Sequence, residues 1–155
     1  MEPNSSTTDQ AFLEELRRHR AELRESMSAL EGALAAAATA DQARWTQRVR
    51  AALMELSADF REHIDITEGP HGLYGDLLTT SPRLSDAVAS LTHEHVLICG
   101  QVDNLLTRVT ASDLIDDVDN VRHQGTAILG RLVRHRQRGS DLVFEAYEFD
   151  IGGET

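Results

Sequence analysis

Apolar residues recur three and four positions apart over four long stretches of this chain, which predicts four amphipathic helices and no strands. In the first stretch Phe12, Leu16, His19, Leu23, Met27, Leu30 and Leu34 share one stripe, with Ser6 or Thr8 as its N-cap and the alanine-rich "LAAAATA" as its end. Asp41 is placed to cap a second helix, whose stripe is Trp45, Val49, Leu53, Leu56, Phe60, His63 and Thr67. "EGPHGLYG" ends it and predicts a loop, because glycine and proline interrupt helices. Ser81 and Pro82 restart the chain as N-cap and first helical residue, and Leu84, Val88, Leu91, His95, Ile98, Val102, Leu105 and Val109 follow. Ser112 is placed to cap the last helix, with Leu114, Val118, Val121, Gly125, Ile128, Leu132, His135, Gly139, Leu142 and Ala146 in its stripe. The expected helices span about 8–38, 41–68, 82–110 and 113–147. The strict four-three spacing of the last two is that of a bundle seam, and the short connections predict an all-α, up-down-up-down antiparallel four-helix bundle. Residues 1–155 read as one domain without internal repeats, and the tail "EFDIGGET" is expected to fray or to pack along the outside.

Composition fits this picture: 41% of the residues are apolar and only 5% aromatic, which favours aliphatic helix packing. The formal net charge of −11 argues against nucleic acid and anionic membranes as partners. No apolar run reaches the ~18 residues of a membrane span. The polar, acidic start "MEPNSSTTDQ" is unlike a signal peptide, and the single cysteine, Cys99, fits a reducing compartment, so a cytoplasmic location is expected. There is no glycine-rich phosphate loop, no cysteine pair with zinc spacing, and no nucleophilic triad spacing.

The candidate chemistry lies in the histidines. His71 falls in the expected loop, and His93 and His123 fall two residues off their seams. His19, His63, His95 and His135 fall one in each stripe. Counted along an up-down bundle at ~1.5 Å per residue, their heights come to ~16, ~12, ~21 and ~9 Å, one layer near one end within the error of the helix boundaries. Each could be a core histidine with a partner for both ring nitrogens. Alternatively, a metal ion satisfies one nitrogen on each of several rings at once.

One histidine per helix, in "LRRHRAEL", "FREHIDITEG", "LTHEHVLI" and "LVRHRQRGSD", resembles the hemerythrin-like family, also called HHE cation-binding domains. The resemblance covers nearly the whole chain and extends to the dipeptide Glu94-His95. It implies iron in the bundle core, with His19, His63, His95 and His135 as ligands, and a small diatomic or peroxide ligand (O2, NO or peroxide). In that family two carboxylates bridge two irons. The matching positions here are Thr67 and Gly139, while Glu68 stands one residue late and Asp141 two. Glu68 and Asp141 rescuing a di-iron site, four histidines holding one iron, zinc or copper, and a fold that has lost its metal are all open. Haem between two axial histidines is a further option. Gly139 in a seam predicts either a π-bulge that swings Asp141 inward or a cavity against the helix.

Other residues carry two readings each. Cys99 is a thiolate ligand or an apolar filler. Glu22 and Asp59 orient imidazoles or are solvated. His71 and Tyr74 line an entrance, add a ligand or sit idle in the loop. Arg131, Arg134, Arg136 and Arg138 stabilise an anionic ligand or neutralise carboxylates of adjacent helices. Function follows the metal: a metalloprotein handling a small oxidant as sensor, carrier, scavenger or oxidase, or else a metal-free interaction or regulatory module, with Val133, Phe144 and Tyr147 as a stripe that could form a homodimer.

Overall fold

The apolar stripes become the buried faces of four long helices. A computed structural model describes residues 5–111 and 117–147, and among these there is helix but no strand. The elements are α1 (Ser5–Ala35), α2 (Gln42–Glu68), α3 (Leu73–Thr80), α4 (Ser85–Ala111) and α5 (Val118–Glu145), with a 3-10 turn at Pro82–Leu84 leading into α4. The four long helices pack together: α1 lies against α2 and α5, and α4 lies against the same two. Among the described residues no helix is long and apolar enough to cross a membrane.

Helix ends follow local hydrogen bonding. Asp41 caps α2 as its position predicts, its Oδ1 accepting from the Arg44 N–H at 3.0 Å. Other ends correct the expectation. Ser6 and Thr8 lie inside α1 rather than before it. That helix stops at Ala35, where Arg122 of α5 donates to the carbonyls of Leu34 and Ala36 at 2.9 Å each, satisfying acceptors that would otherwise continue the ladder. The Arg122 guanidinium also lies 5.4 Å from the Trp45 ring centroid. The cap of α5 is Asp117, accepting from the Asn120 N–H at 2.9 Å; Ser112, Leu114 and the tail from Glu148 onward lie outside the described residues. Ser81 and Pro82 stand as N-cap and first helical residue, but of the 3-10 turn that precedes α4, and the Ser81 side chain makes no capping bond.

The main departure is α3. "LYGDLLTT" folds as a helix where the glycines on either side of Tyr74 predict a loop. Gly75 costs ~1 kcal/mol in a helix relative to alanine, and burial of Tyr74 and Leu77, at about 1.5–3 kcal/mol for a large apolar side chain, outweighs it. The turn into α3 requires glycine at position 72, where a Cβ would stand 2.6 Å from the Thr67 carbonyl oxygen.

These elements build two apolar clusters. The larger runs from Leu23, Leu30 and Leu34 through Val49, Leu53, Leu56 and Phe60 to Ile98, Val102, Ile128 and Leu132. The smaller joins Tyr74 and Leu77 of α3 to Leu84, Val88, Leu91, Leu142 and Ala146. In sequence the seam histidines of α4 and α5 fall between the two: His95 between Leu91 and Ile98, and His135 between Leu132 and Leu142.

Two glycines of α5 differ in what surrounds them. At Gly125 a Cβ would stand 2.5 Å from Leu34 Cδ1, whereas at Gly139 it would meet nothing within 4 Å. Gly125→Val is therefore expected to destabilise the protein by about 1–3 kcal/mol through overpacking. Gly139→Ala is expected to stabilise it by about 0.5–1 kcal/mol through helix propensity. Urea unfolding midpoints that move in opposite directions for the two variants would bear this out; a loss of stability in Gly139→Ala would count against the space seen there.

Candidate metal centre

His63 of α2, His95 of α4 and His135 of α5 converge. Their ring centroids are 4.7 Å (His95–His135), 5.1 Å (His63–His95) and 5.4 Å (His63–His135) apart. One nitrogen from each ring falls in a set whose members all lie within 4.8 Å of one another. The closest approach, 3.3 Å, is between His63 Nε2 and His135 Nε2. Two nitrogens bound at ~2.05 Å to one tetrahedral ion stand about 3.3 Å apart, so this edge needs no adjustment.

The far nitrogens of two rings are anchored. His95 Nδ1 lies 2.6 Å from Glu68 Oε2, and His135 Nδ1 lies 3.0 Å from Glu94 Oε1. A carboxylate only accepts, so each Nδ1 carries the proton and each Nε2 presents a lone pair. His95 Nε2 is buried and has no hydrogen-bond partner. Glu94 is shared, since Arg138 donates to its other oxygen. Burial raises the Glu94 pKa, but the hydrogen bonds and charges of His135 and Arg138 together hold it below the usual carboxylate value.

Packing fixes the rings. Phe60 stacks on His63 at 5.6 Å and meets His95 and His135 edge-on at 5.6 and 5.9 Å. Tyr74 of α3 stacks on His95 at 5.9 Å, and burial pushes its phenol up to about 12. His95 and His135 are 1% and 2% exposed. Burial, then repulsion from the other two histidines, lowers His63 to about 3. Burial also lowers His95 and His135, the glutamates offsetting only part of it. All three rings are therefore neutral near pH 7, the state in which imidazole binds metals.

His19 lies apart from this set. It sits in its own group with Glu22 and Glu62, its Nδ1 3.1 Å from Glu62 Oε2, and half-buried rather than in the core. Asp141 is exposed and accepts from Gln137 Nε2 at 2.9 Å, so it stays outside the triad. No π-bulge brings it inward, because α5 is continuous α-helix through Gly139. The cavity is present instead: a pocket of about 350 Å³ lies against Gly139 and reaches His19, His63, His135 and Tyr74. Thr67 is buried where a bridging carboxylate is expected, its hydroxyl donating to the His63 carbonyl at 2.9 Å. Cys99 packs against the larger apolar cluster and is absent from the group of candidate ligands, and burial raises its thiol pKa. Asp59 takes the Ser26 hydroxyl rather than a histidine, and His71 is exposed.

Sequence reasoning missed Glu94 as the partner of His135, since the two are on different helices. The signal was its place next to His95, which turns it off the seam toward a neighbouring helix. Phe60 read as core alone, and Tyr74 as a loop residue. No family model matches this chain, and no curated protein or solved structure matches it.

Proposed function

We propose that this protein is a metal-binding helical bundle of the hemerythrin-like kind, in which His63, His95 and His135 hold one non-haem transition-metal ion. The observation that carries this is the convergence of three neutral imidazoles, two with Nδ1 anchored by carboxylates and one with a buried, unpartnered Nε2. Three nitrogen donors with Glu68 and Glu94 one shell out suit a borderline dication, balancing its charge in a low-dielectric site. Iron follows from the resemblance; zinc competes through its higher affinity for imidazole. A single ion is favoured over two because Thr67 and Gly139 offer no bridging oxygen, Glu68 serves His95, and Asp141 is turned to Gln137. An ion held by His63, His95 and His135 would supply Lewis-acid or redox chemistry toward O2, NO or peroxide, and the pocket beside Gly139 would give a small molecule a way to it.

The up-down-up-down antiparallel arrangement belongs to the same proposal. Its support is that contacts pair rising numbers on one helix with falling numbers on the next. Ser26 meets Asp59 and His19 meets Glu62; Glu68 meets His95 and Arg61 meets Asp103; Glu94 meets His135 and Arg108 meets Asn120.

Metal analysis after loading with Fe(II), and separately Zn(II), tests the reading: one ion per chain is expected, with Co(II) giving the visible spectrum of a nitrogen-rich site. Fewer than about 0.1 ion per chain after either loading would sink it. The second reading, a metal-free interaction module, is favoured by one observation: Val133, Phe144 and Tyr147 of the last helical segment are all at least half exposed. A chelated protein that elutes as a dimer, and becomes monomeric as Phe144→Glu, would support it.

A further inference from the structure

The protein carries a net charge of −11, yet among the described residues two guanidiniums that share a pocket with His63 and His135 have no carboxylate partner. Among the described residues, Arg18, Arg61, Arg83, Arg122 and Arg138 each pair with a carboxylate, whereas Arg20 and Arg24 of α1 and Arg136 of α5 are among several arginines that pair with none. Arg136 is half-buried and reaches Met27 Sδ at 4.0 Å. Arg136 lines one pocket with Arg20 and another with Arg24, so its charge stands near both. Holding an unpaired, half-buried Arg136 beside like charges costs free energy that a bound anion would return.

Arg20 and Arg136 line the same pocket of about 350 Å³ as His63 and His135. The rest of its wall includes Leu16, Ile66, Leu73 and Val143, and the bare backbone at Gly139. A guanidinium fork matches a carboxylate, and the aliphatic wall needs an apolar body to cover it. An inorganic oxyanion would meet the charge and leave that wall wet.

We propose that this pocket binds a small organic monocarboxylate with an aliphatic tail, its carboxylate held by Arg20 and Arg136 and its tail against Leu16, Ile66, Leu73 and Val143, beside His63 and His135. This names the class of molecule that the metal centre would meet, and it rests on the metal-site reading for its chemistry but not for its binding. Gly139 is small so that the tail has room.

Calorimetric titration of the full chain with hexanoate, in chelator-treated and metal-loaded forms, tests it. One hexanoate per chain is expected in the chelator-treated form, with about tenfold or greater weakening in Arg20→Gln, in Arg136→Gln and in Gly139→Leu. Arg48→Gln, on α2 about 22 Å along the helix from His63, is expected to leave binding within about twofold. Hexan-1-ol and inorganic phosphate are each expected to bind about tenfold more weakly than hexanoate, or not at all. Circular dichroism checks that each variant folds, and Arg20, exposed on α1, can be removed without opening the core. No hexanoate binding to either form overturns the proposal, as do equal affinity for hexan-1-ol or phosphate and unchanged binding in Arg20→Gln. Because binding is read without metal, a protein that takes hexanoate but no ion fails the metal-site reading alone.

Discussion

Replacing His95 with leucine is expected to reduce metal binding from one ion per chain to below about a tenth, while leaving the metal-free protein nearly as stable as before. The first half follows from ligand number. Structural sites with four ligands bind zinc with ~10–16 kcal/mol, so one ligand carries roughly 3 kcal/mol or more, a factor of at least about 10² in affinity. The second half follows from the unmet nitrogen. His95 Nε2 is buried without a partner, and leucine removes that atom while keeping volume beside Phe60. The cost that remains is the stack with Tyr74 and the bond to half-exposed Glu68, together about 1 kcal/mol. His63→Leu and His135→Leu are expected to behave alike, and His19→Leu to leave the stoichiometry unchanged. Glu94→Gln and Glu68→Gln are expected to weaken the metal by about 10–100-fold, since each carboxylate fixes a ring and its tautomer. Metal analysis with urea unfolding reads both quantities. If His95→Leu unfolded the metal-free protein while retaining the ion, the roles assigned to the imidazole would be reversed.

Acidification is expected to unfold the metal-free protein steeply between about pH 6.5 and 5. In the folded state His63 titrates near 3, and His95 and His135 also lie below their ordinary value of 6.5, because burial penalises the charged rings. In the unfolded chain all three titrate at about 6.5. Below that value the unfolded state takes protons that the folded state refuses, so stability falls as pH falls; above it neither state is protonated and stability is flat. Each ring contributes at most about 1.4 kcal/mol per pH unit between its folded and unfolded values, so three acting together contribute at most about 4 kcal/mol per unit. Against a total of about 5–15 kcal/mol for a domain, the fall from about pH 6.5 to 5 is a large fraction of the whole. Glu94, held below its usual value, adds a further loss when pH passes through the carboxylate range. Urea midpoints from pH 8 to pH 5 measure the slope, and His63→Leu is expected to reduce it by about a third. A stability curve flat down to pH 5 would mean that the rings are charged and hydrated in the folded state.

The sequence by itself determined the four long helices and the faces they bury. Every predicted seam position from Leu84, in the 3-10 turn, through α4 to Val109 is buried, including His95, because a 3.6-residue period on an aliphatic background has few other ways to hide its apolar surface. It also placed His63, His95 and His135 in one layer within the error of the helix boundaries, though it placed His19 there with them, since bundle height follows residue count. Tertiary structure decided the rest. A seam position does not say how deep a side chain sits: His19 belongs to its stripe, yet residues 10–20 of α1 are exposed or half-buried and His19 turns to Glu62. Spacing along one helix does not say which neighbour a carboxylate meets: Glu94 crosses from α4 to His135 on α5, and Glu68 crosses from α2 to His95 on α4. Glycine content does not weigh burial against propensity, so the α3 segment read as a loop until Tyr74 had a histidine ring to stack on. Each of these is a contact between elements, and its energy exists only once the helices have packed.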